Sequence, residues 1–349
     1  MTIKPGALRF NTDSMKLEIF RGSANYEGTA SMAGIGTLAA GQWEEIQATS
    51  PEVQTGGTRG VMMGGRNPSS VNEIDYITID TTGNALDFGN LTTQSRGFAQ
   101  GQTSSRVRGL AMGGNPTLDK VASITIASTG NATEHASILT VGSRLSAGAA
   151  NSTRALVAGG LNPSVLNVID VTDIASLGSA IDFGDLSAAL YYRAGLSSPT
   201  RAIIAAGYYP ATVNTIEFVT ISTQGDSADF GDLTQATVIP AAGGNSTRGI
   251  FYGGGLTAPS FPNTDVISYI TIGTLGNALD FGDASAAVSQ SSGVSSPTRF
   301  VSMGGSTGSE VDTIEYVQIA STGDAIDFGD LNGSARRRGA GVSNGHGGL

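Results

Sequence analysis

The sequence contains no cysteine, which removes disulfide bonds, thiolate metal sites and cysteine nucleophiles together. Histidine is nearly absent too: His135 and His346 are the whole supply, and no Gly-x-Ser-x-Gly elbow accompanies them. A Ser-His-Asp constellation therefore has little to draw on. Charge is sparse and of the wrong sign for nucleic acid. Charged residues make up 14% of the chain and the net charge is −10, whereas displacing counterions from phosphate needs lysine and arginine. No run approaches the roughly 18 apolar residues that span a bilayer. Met1-Thr-Ile-Lys-Pro lacks the apolar core of a secretory signal. Neither nucleic acid nor membrane insertion is expected, and these absences suit a chain made in a reducing cytosol, whatever its final address.

Glycine is present in excess, at 50 of 349 residues, without a Gly-X-Y period or a proline-rich tract. Spread among short Val/Ile/Thr/Ala runs, it fits many tight turns between many short strands. Six times an arginine is followed by four mostly apolar or small residues and a small pair. These are Arg59 with Gly64-Gly65, Arg108 with Gly113-Gly114, Arg154 with Gly159-Gly160, Arg201 with Ala206-Gly207, Arg248 with Gly253-Gly254, and Arg299 with Gly304-Gly305. The first and last arginines lie 240 residues apart over five intervals, a period of 48.

A second signature runs in phase with the first. Gly83, Gly130, Gly178, Gly225, Gly276 and Gly323 each follow an isoleucine by four residues: Ile79, Ile126, Ile174, Ile221, Ile272 and Ile319. Five of these glycines precede an Asp-Phe-Gly, with Phe88, Phe183, Phe230, Phe281 and Phe328; the second copy reads Glu134-His135-Ala136 instead. The strands are apolar at both parities (Tyr76 and Ile77, Phe218 and Val219), as blades covered on both faces require. No copy is large enough to bury itself alone, so the copies must stack. A further strand precedes each arginine after the first (Arg96–Gly101, Arg144–Gly148, Arg193–Leu196, Val238–Gly244, Val288–Gly293). The sixth such strand, Arg338–Ser343, stands at the far end with no arginine strand after it. A ring in which this last strand completes the blade begun at Arg59 removes both open sheet edges.

The pattern resembles the kelch repeat over residues 57 to 344: an apolar strand ending in Gly-Gly, a loop, a strand with a Tyr-like position (Tyr76, Phe218, Tyr269, Tyr316), then a turn and an aromatic. It departs from kelch in carrying phenylalanine where tryptophan is usual. The expected fold is all-β: a six-bladed kelch-like β-propeller over 57–349, its C-terminal strand closing the first blade, preceded by a small N-terminal β segment over 1–56. In that segment Arg9-Phe-Asn-Thr-Asp-Ser14, Lys16-Leu-Glu18 and Trp43-Glu-Glu-Ile46 resemble a short β-module of tailed-phage tail-fibre and virion proteins. The resemblance implies attachment to other virion proteins through residues 1–56. On the alternative reading, Trp43 merely caps the underside of the ring.

The expected function is accordingly that of a non-enzymatic virion structural protein: a fibre, knob or decoration protein. The alternative is a secreted or cell-surface lectin-like propeller binding carbohydrate. Asp-Phe-Gly also occurs in kinases as a metal-binding tripeptide, but recurrence with the blade period makes it structural here, with Phe between blades and Asp and Gly forming a turn. The acidic pairs such as Asp182 and Asp185 read as Asx-turns, and no metal or cofactor is expected. Arg336, Arg337 and Arg338 read as an exposed strand edge. The six repeated arginines read as bonding carbonyls of a neighbouring blade. What escapes the period is the loop after each small pair. There Tyr208, Tyr209 and Phe261, with Asn67 and Asn263, are the candidate ligand contacts, suited to a host-surface glycan or protein. Tyr191 and Tyr192 precede an outer or inner edge strand, and a second copy of the chain is an admissible partner.

Overall fold

The computed structural model describes residues 7–11, 16–21, 42–45, 58–95, 97–98, 100–116, 119–135, 138–258 and 260–349. The chain divides into two compact units, Met1–Val53 and Gln54–Leu349. In the first, Leu8–Asn11, Lys16–Arg21 and Gln42–Glu45 form a three-stranded antiparallel meander that sets Phe20 opposite Trp43. The stretches around it, including Ile46, lie outside the described residues.

The second unit is a six-bladed β-propeller. Blade 3 shows the pattern: Ala147–Ala150 innermost, then Arg154–Asn162, Ser164–Asp173 and, outermost, Ile181–Asp185. Blades 4, 5 and 6 repeat it from Ala194, Ala241 and Ser292. Blade 1 takes its innermost strand, Ala340–Ser343, from the far end of the unit and its other three from Arg59–Asn67, Ser69–Thr78 and Leu86–Ser95. Val342 pairs with Val61 and Ala340 with Met63, so the C-terminal strand seals the ring.

The apolar residues at both parities are explained by the seams. Val61 and Met63 pack with Phe88 against Ala111, Ile124 and Ile126 of blade 2. Their neighbour Met62 faces the other way, against Val294, Val301 and Phe328 of blade 6. Each second strand thus contributes to two cores, and burying apolar area on both faces is the main gain from stacking.

Both sequence signatures meet at these seams. Nη1 of each repeated arginine donates to the carbonyl of the repeated isoleucine one blade on: Arg59 to Ile126 at 2.8 Å, Arg108 to Ile174 at 2.8 Å, Arg154 to Ile221 at 3.0 Å. The series continues with Arg201 to Ile272 at 2.8 Å, Arg248 to Ile319 at 2.7 Å and, across the closure, Arg299 to Ile79 at 3.0 Å. The phenylalanine carbonyls of Asp-Phe-Gly accept from the repeated glycine N–H of the next blade, as Gly130 to Phe88 at 2.7 Å and Gly83 to Phe328 at 2.8 Å. Asp-Phe-Gly is not a turn, contrary to expectation. It lies on the outermost strand, where the register shifts by a β-bulge opposite Ile169-Asp170 and its equivalents. The aspartates therefore follow the strand, and the chain reversal falls earlier, at the repeated glycine.

Blade 2 is the exception to the four-stranded rule. Arg96, at the start of its expected innermost strand, lies outside the described residues. Residues 100–105 form no regular strand, and Arg108–Met112, Val121–Thr125 and Thr133–His135 make a three-stranded sheet. The 100–105 segment stays attached through the Ser104–Gly109 bridge but turns into the axis. There the Gln100 carbonyl accepts from both Gly148 and Gly195 N–H at 2.8 Å. The Gln102 amide donates to Ser295 Oγ at 2.7 Å and accepts from Ser343 Oγ at 2.5 Å. A Cβ on Gly101 would lie 2.0 Å from the Gly148 carbonyl oxygen, at a φ of +129°, so this position tolerates no side chain. The channel usual along a propeller axis is filled by the 100–102 segment.

Candidate functional site

Within each blade the second strand runs from its arginine to its small pair, and the innermost strand runs back. The small pairs, the variable loops and the starts of the innermost strands therefore share one face, here called upper. At its centre six residues adopt left-handed φ between 47° and 67°: Gly97, Leu145, Tyr192, Ile239, Gln290 and Arg338. Their backbones form a closed ring of hydrogen bonds. Leu145 N–H donates to Gly97, Tyr192 to Leu145, Ile239 to Tyr192, Gln290 to Ile239, Arg338 to Gln290, and Gly97 back to Arg338, at 2.8 to 3.2 Å. Non-glycine residues rarely hold this conformation, and six satisfied amides in a cycle compensate for it. The ring is a rigid platform that fixes its side chains around the axis.

On that platform Arg338 of blade 1 reaches across to Tyr192 of blade 4, its guanidinium carbon 5.5 Å from the ring centre, and its Nε donates to Gln290 Oε1 at 2.5 Å. Burial lowers the Arg338 pKa, and the like charges of Arg337 and Arg66 add to the effect against the pull of Tyr192. Tyr192 also meets Tyr191 at 4.6 Å and Phe261 at 6.4 Å; Tyr208 meets Tyr191 at 5.6 Å and Phe261 at 5.2 Å. Three of these four contacts are edge-to-face, the arrangement ring quadrupoles favour. Burial, with the neighbouring tyrosines, raises the Tyr191 pKa, so its hydroxyl stays protonated and available to donate. Tyr209 projects beside them, 54% exposed.

Of the candidate contacts read from sequence, the fold brings Tyr208 and Phe261 into one cluster, with Tyr209 at its margin. Asn263 lies under the same loop but uses its amide to donate to the Ser306 carbonyl at 2.7 Å, tying blade 5 to blade 6. Asn67 stands apart, closing the hairpin of blade 1 opposite Ser69. The residues that sequence reasoning missed as a set are Tyr192, Gln290 and Arg338. Their common feature is a backbone position just before each innermost strand, which a phase comparison of those segments would have picked out.

The Arg336–Arg338 run is not an exposed edge. Arg336 is fully buried, ion-paired with Asp75 at 2.8 Å and with Glu73 at 3.4 Å, and Arg337 pairs with Glu310 at 3.2 Å. Asp75 belongs to a further pattern. The same third-strand position holds a buried carboxylate in blades 3, 4 and 6: Asp170, Glu217 and Glu315. Each is engaged. Asp170 accepts from Thr140, Glu217 pairs with Arg193 at 2.7 Å and accepts from Ser187 N–H at 2.9 Å, and Glu315 accepts from the Tyr252 hydroxyl. Burial opposes ionisation of Glu217, but Arg193 and the Ser187 bonds outweigh it and hold the carboxyl below its ordinary range. These carboxylates fasten the linkers that enter each blade and the seams between blades; none opens onto the aromatic cluster. Among the described residues no group of three or more His, Asp or Glu side chains is placed to hold a metal.

The repeated arginines and phenylalanines lie within the blades rather than on this face. Arg59, Arg201, Arg248 and Arg299 stack at 4.4 to 4.8 Å over Tyr76, Phe218, Tyr269 and Tyr316. Those rings meet Phe88, Phe230, Phe281 and Phe328 edge-on at 5.8 to 6.1 Å. Phe183 of blade 3 is buried against Val171 and Val219. Arg108 and Arg154 have no such ring, since Ser123 and Val171 occupy its place. Neither a protein-family model nor a curated protein matches the chain.

Proposed function

We propose that this chain is a non-enzymatic recognition protein of a tailed-phage virion, a fibre, knob or decoration protein, whose kelch-like ring contacts a host-surface glycan or protein. The observation that carries the reading is the aromatic cluster of Tyr191, Tyr192, Tyr208 and Phe261, with Tyr209 exposed beside it, set on a rigid axial platform around Arg338. Flat rings with hydroxyl and guanidinium donors at their edges suit stacking on a sugar face while bonding its hydroxyls, and they also suit the anchor of a protein interface. A β-propeller is consistent with a binding module, and a sealed axis favours contact at a face over passage through a channel. The virion setting rests on the amino-terminal motifs, with residues 1–56 as the segment that joins other virion proteins.

Two measurements test this. Mass spectrometry of purified particles should find the chain in stoichiometric copy number; its absence from particles, with secretion from cells, would favour the cell-surface lectin alternative. A glycan array probed with the full chain should give binding that falls on Tyr208→Ala or Tyr209→Ala. Binding unchanged by both substitutions would remove the upper face from the account.

A further inference from the structure

Blade 2 breaks the repeat at two positions that touch each other. Where blades 1, 4, 5 and 6 stack an arginine on a ring and that ring on a phenylalanine, blade 2 has Ser123 and His135. The ring pair is replaced by a hydrogen bond between Ser123 Oγ and His135 Nε2 at 2.9 Å. A serine and an imidazole fill less space than two six-membered rings. A groove of about 300 Å³ opens in their place, lined among others by Arg108, Ser123, Thr125, Asn131, Thr133 and His135.

Three features give this groove a chemical preference. Among the described residues no aspartate or glutamate lines it, although the protein carries a net charge of −10. Arg108 is fixed rather than mobile, because its Nη1 donates to the Ile174 and Ala175 carbonyls at 2.8 and 2.7 Å. With no ring above it, the rest of that guanidinium is not stacked as its counterparts are. The third feature is a proton. If Ser123 donates to His135 Nε2, the imidazole carries its hydrogen on Nδ1; if Nε2 donates to Ser123, the hydroxyl hydrogen is released. Either arrangement leaves one hydrogen of the pair outside the bond between them. Blade 3 provides an internal comparison. Its arginine, Arg154, also lacks a ring and also lines a groove, of about 390 Å³, but Asp173 lines that groove as well. Bonds from Ser176 and the nearby charge of Arg154 hold Asp173 ionised, so the cation there is already compensated.

We propose that the blade 2 groove binds a tetrahedral oxyanion, a phosphate or sulfate group, through Arg108 with Ser123 and His135 as hydrogen-bonding partners. Charge-assisted bonds from a preorganised guanidinium are the strongest a protein offers such a group, and a second donor beside it adds direction. The site lies on the lower rim, away from the aromatic cluster, and stands whether or not the upper face binds a glycan.

The chain reports on this site unusually well because it has two histidines. In ¹H–¹⁵N spectra of the full chain at constant pH and ionic strength, inorganic phosphate and, separately, sulfate should shift the His135 imidazole signals saturably. Buried His346 should stay still, and sodium chloride should shift neither. Refilling the groove with the ring pair of the other blades, Ser123→Tyr with His135→Phe, should preserve the fold and weaken phosphate binding, read by calorimetry, by about tenfold or more. Should that variant misfold, Arg108→Gln should show a similar loss. The proposal is overturned if neither anion moves His135, if chloride moves it equally, or if affinity survives in the folded variants. A response to one anion and not the other would identify which group the site takes.

Discussion

Acidification should loosen the lower closure of the ring through one residue, His346. The tail after the closing strand folds under the axis, with the Gly348 Cα so close to the Ala150 carbonyl that an added Cβ would lie 1.9 Å from its oxygen. His346 is fully buried there. Its Nε2 lies 2.8 Å from the Ser104 carbonyl and its Nδ1 accepts from Gly348 N–H at 3.1 Å. The carbonyl can only accept, so the hydrogen sits on Nε2 and the ring is neutral. A second proton on Nδ1 would face the Gly348 N–H. Burial is the main reason the pKa falls from 6.5 to about 4; the bond to Ser104 opposes the fall and nearby Arg106 assists it. The folded chain thus resists a proton that the unfolded chain accepts, and stability falls as pH drops from about 6.5 to about 4. For one group with these two values the loss is about 2 kcal/mol at pH 5, approaches about 3 kcal/mol below pH 4, and vanishes above pH 8. Urea unfolding of the wild type and of His346→Gln at pH 8 and pH 5 measures it. The variant should lose some stability at both values, but the difference between the two proteins should shrink by about 2 kcal/mol on going to pH 5. A difference that stays constant would refute the buried neutral imidazole.

Other substitutions probe the seams, the axis and the buried ion pair. Arg248→Ala loses a carbonyl bond and a stacked ring, and Arg154→Ala loses two carbonyl bonds without stacking, so thermal melts should place each about 1 to 2 kcal/mol below the wild type. Gly101→Ala should cost about 3 kcal/mol or more, or prevent folding, while Gly273→Ala, where an added methyl meets nothing within 4 Å, should leave the melt nearly unchanged. Glu217→Ala strands Arg193 without its counter-charge and should cost about 3 to 5 kcal/mol. The double variant Arg193→Met with Glu217→Leu should recover most of that.

The sequence made the ring legible because both ends of the same bond recur in it. The arginine side chain reaches the isoleucine carbonyl, and the phenylalanine carbonyl meets the glycine amide, so each contact leaves two marks per period. The Tyr-like position was legible for the same reason, since arginine and phenylalanine both touch it. Three features left no such mark. The axial cycle is made by backbone, and its members, from Gly97 to Arg338, share a conformation and no side chain. Gln100 and Gln102 look like strand residues, but with Gly101 between them they fit an axis too narrow for any side chain on the middle residue. The aspartates of Asp-Phe-Gly have turn-forming chemistry, yet a bulge lets them stay on a strand. The aromatic site was half visible: Tyr208, Tyr209 and Phe261 are conspicuous in polar loops, but Arg338 lies 130 residues from Tyr208 and only closure brings it near.

That closure is tested most directly by ending the chain at Ser334 and following its thermal unfolding beside the full-length protein. Removing residues 335–349 deletes the whole ladder of Ala340–Ser343 against Gly60–Met63, the Arg336 pair with Asp75 and the tail under the axis. The shortened protein is predicted to aggregate, or to melt broadly and at least about 10 °C lower. A soluble product that melts as sharply and at the same temperature as the complete chain would contradict the ring.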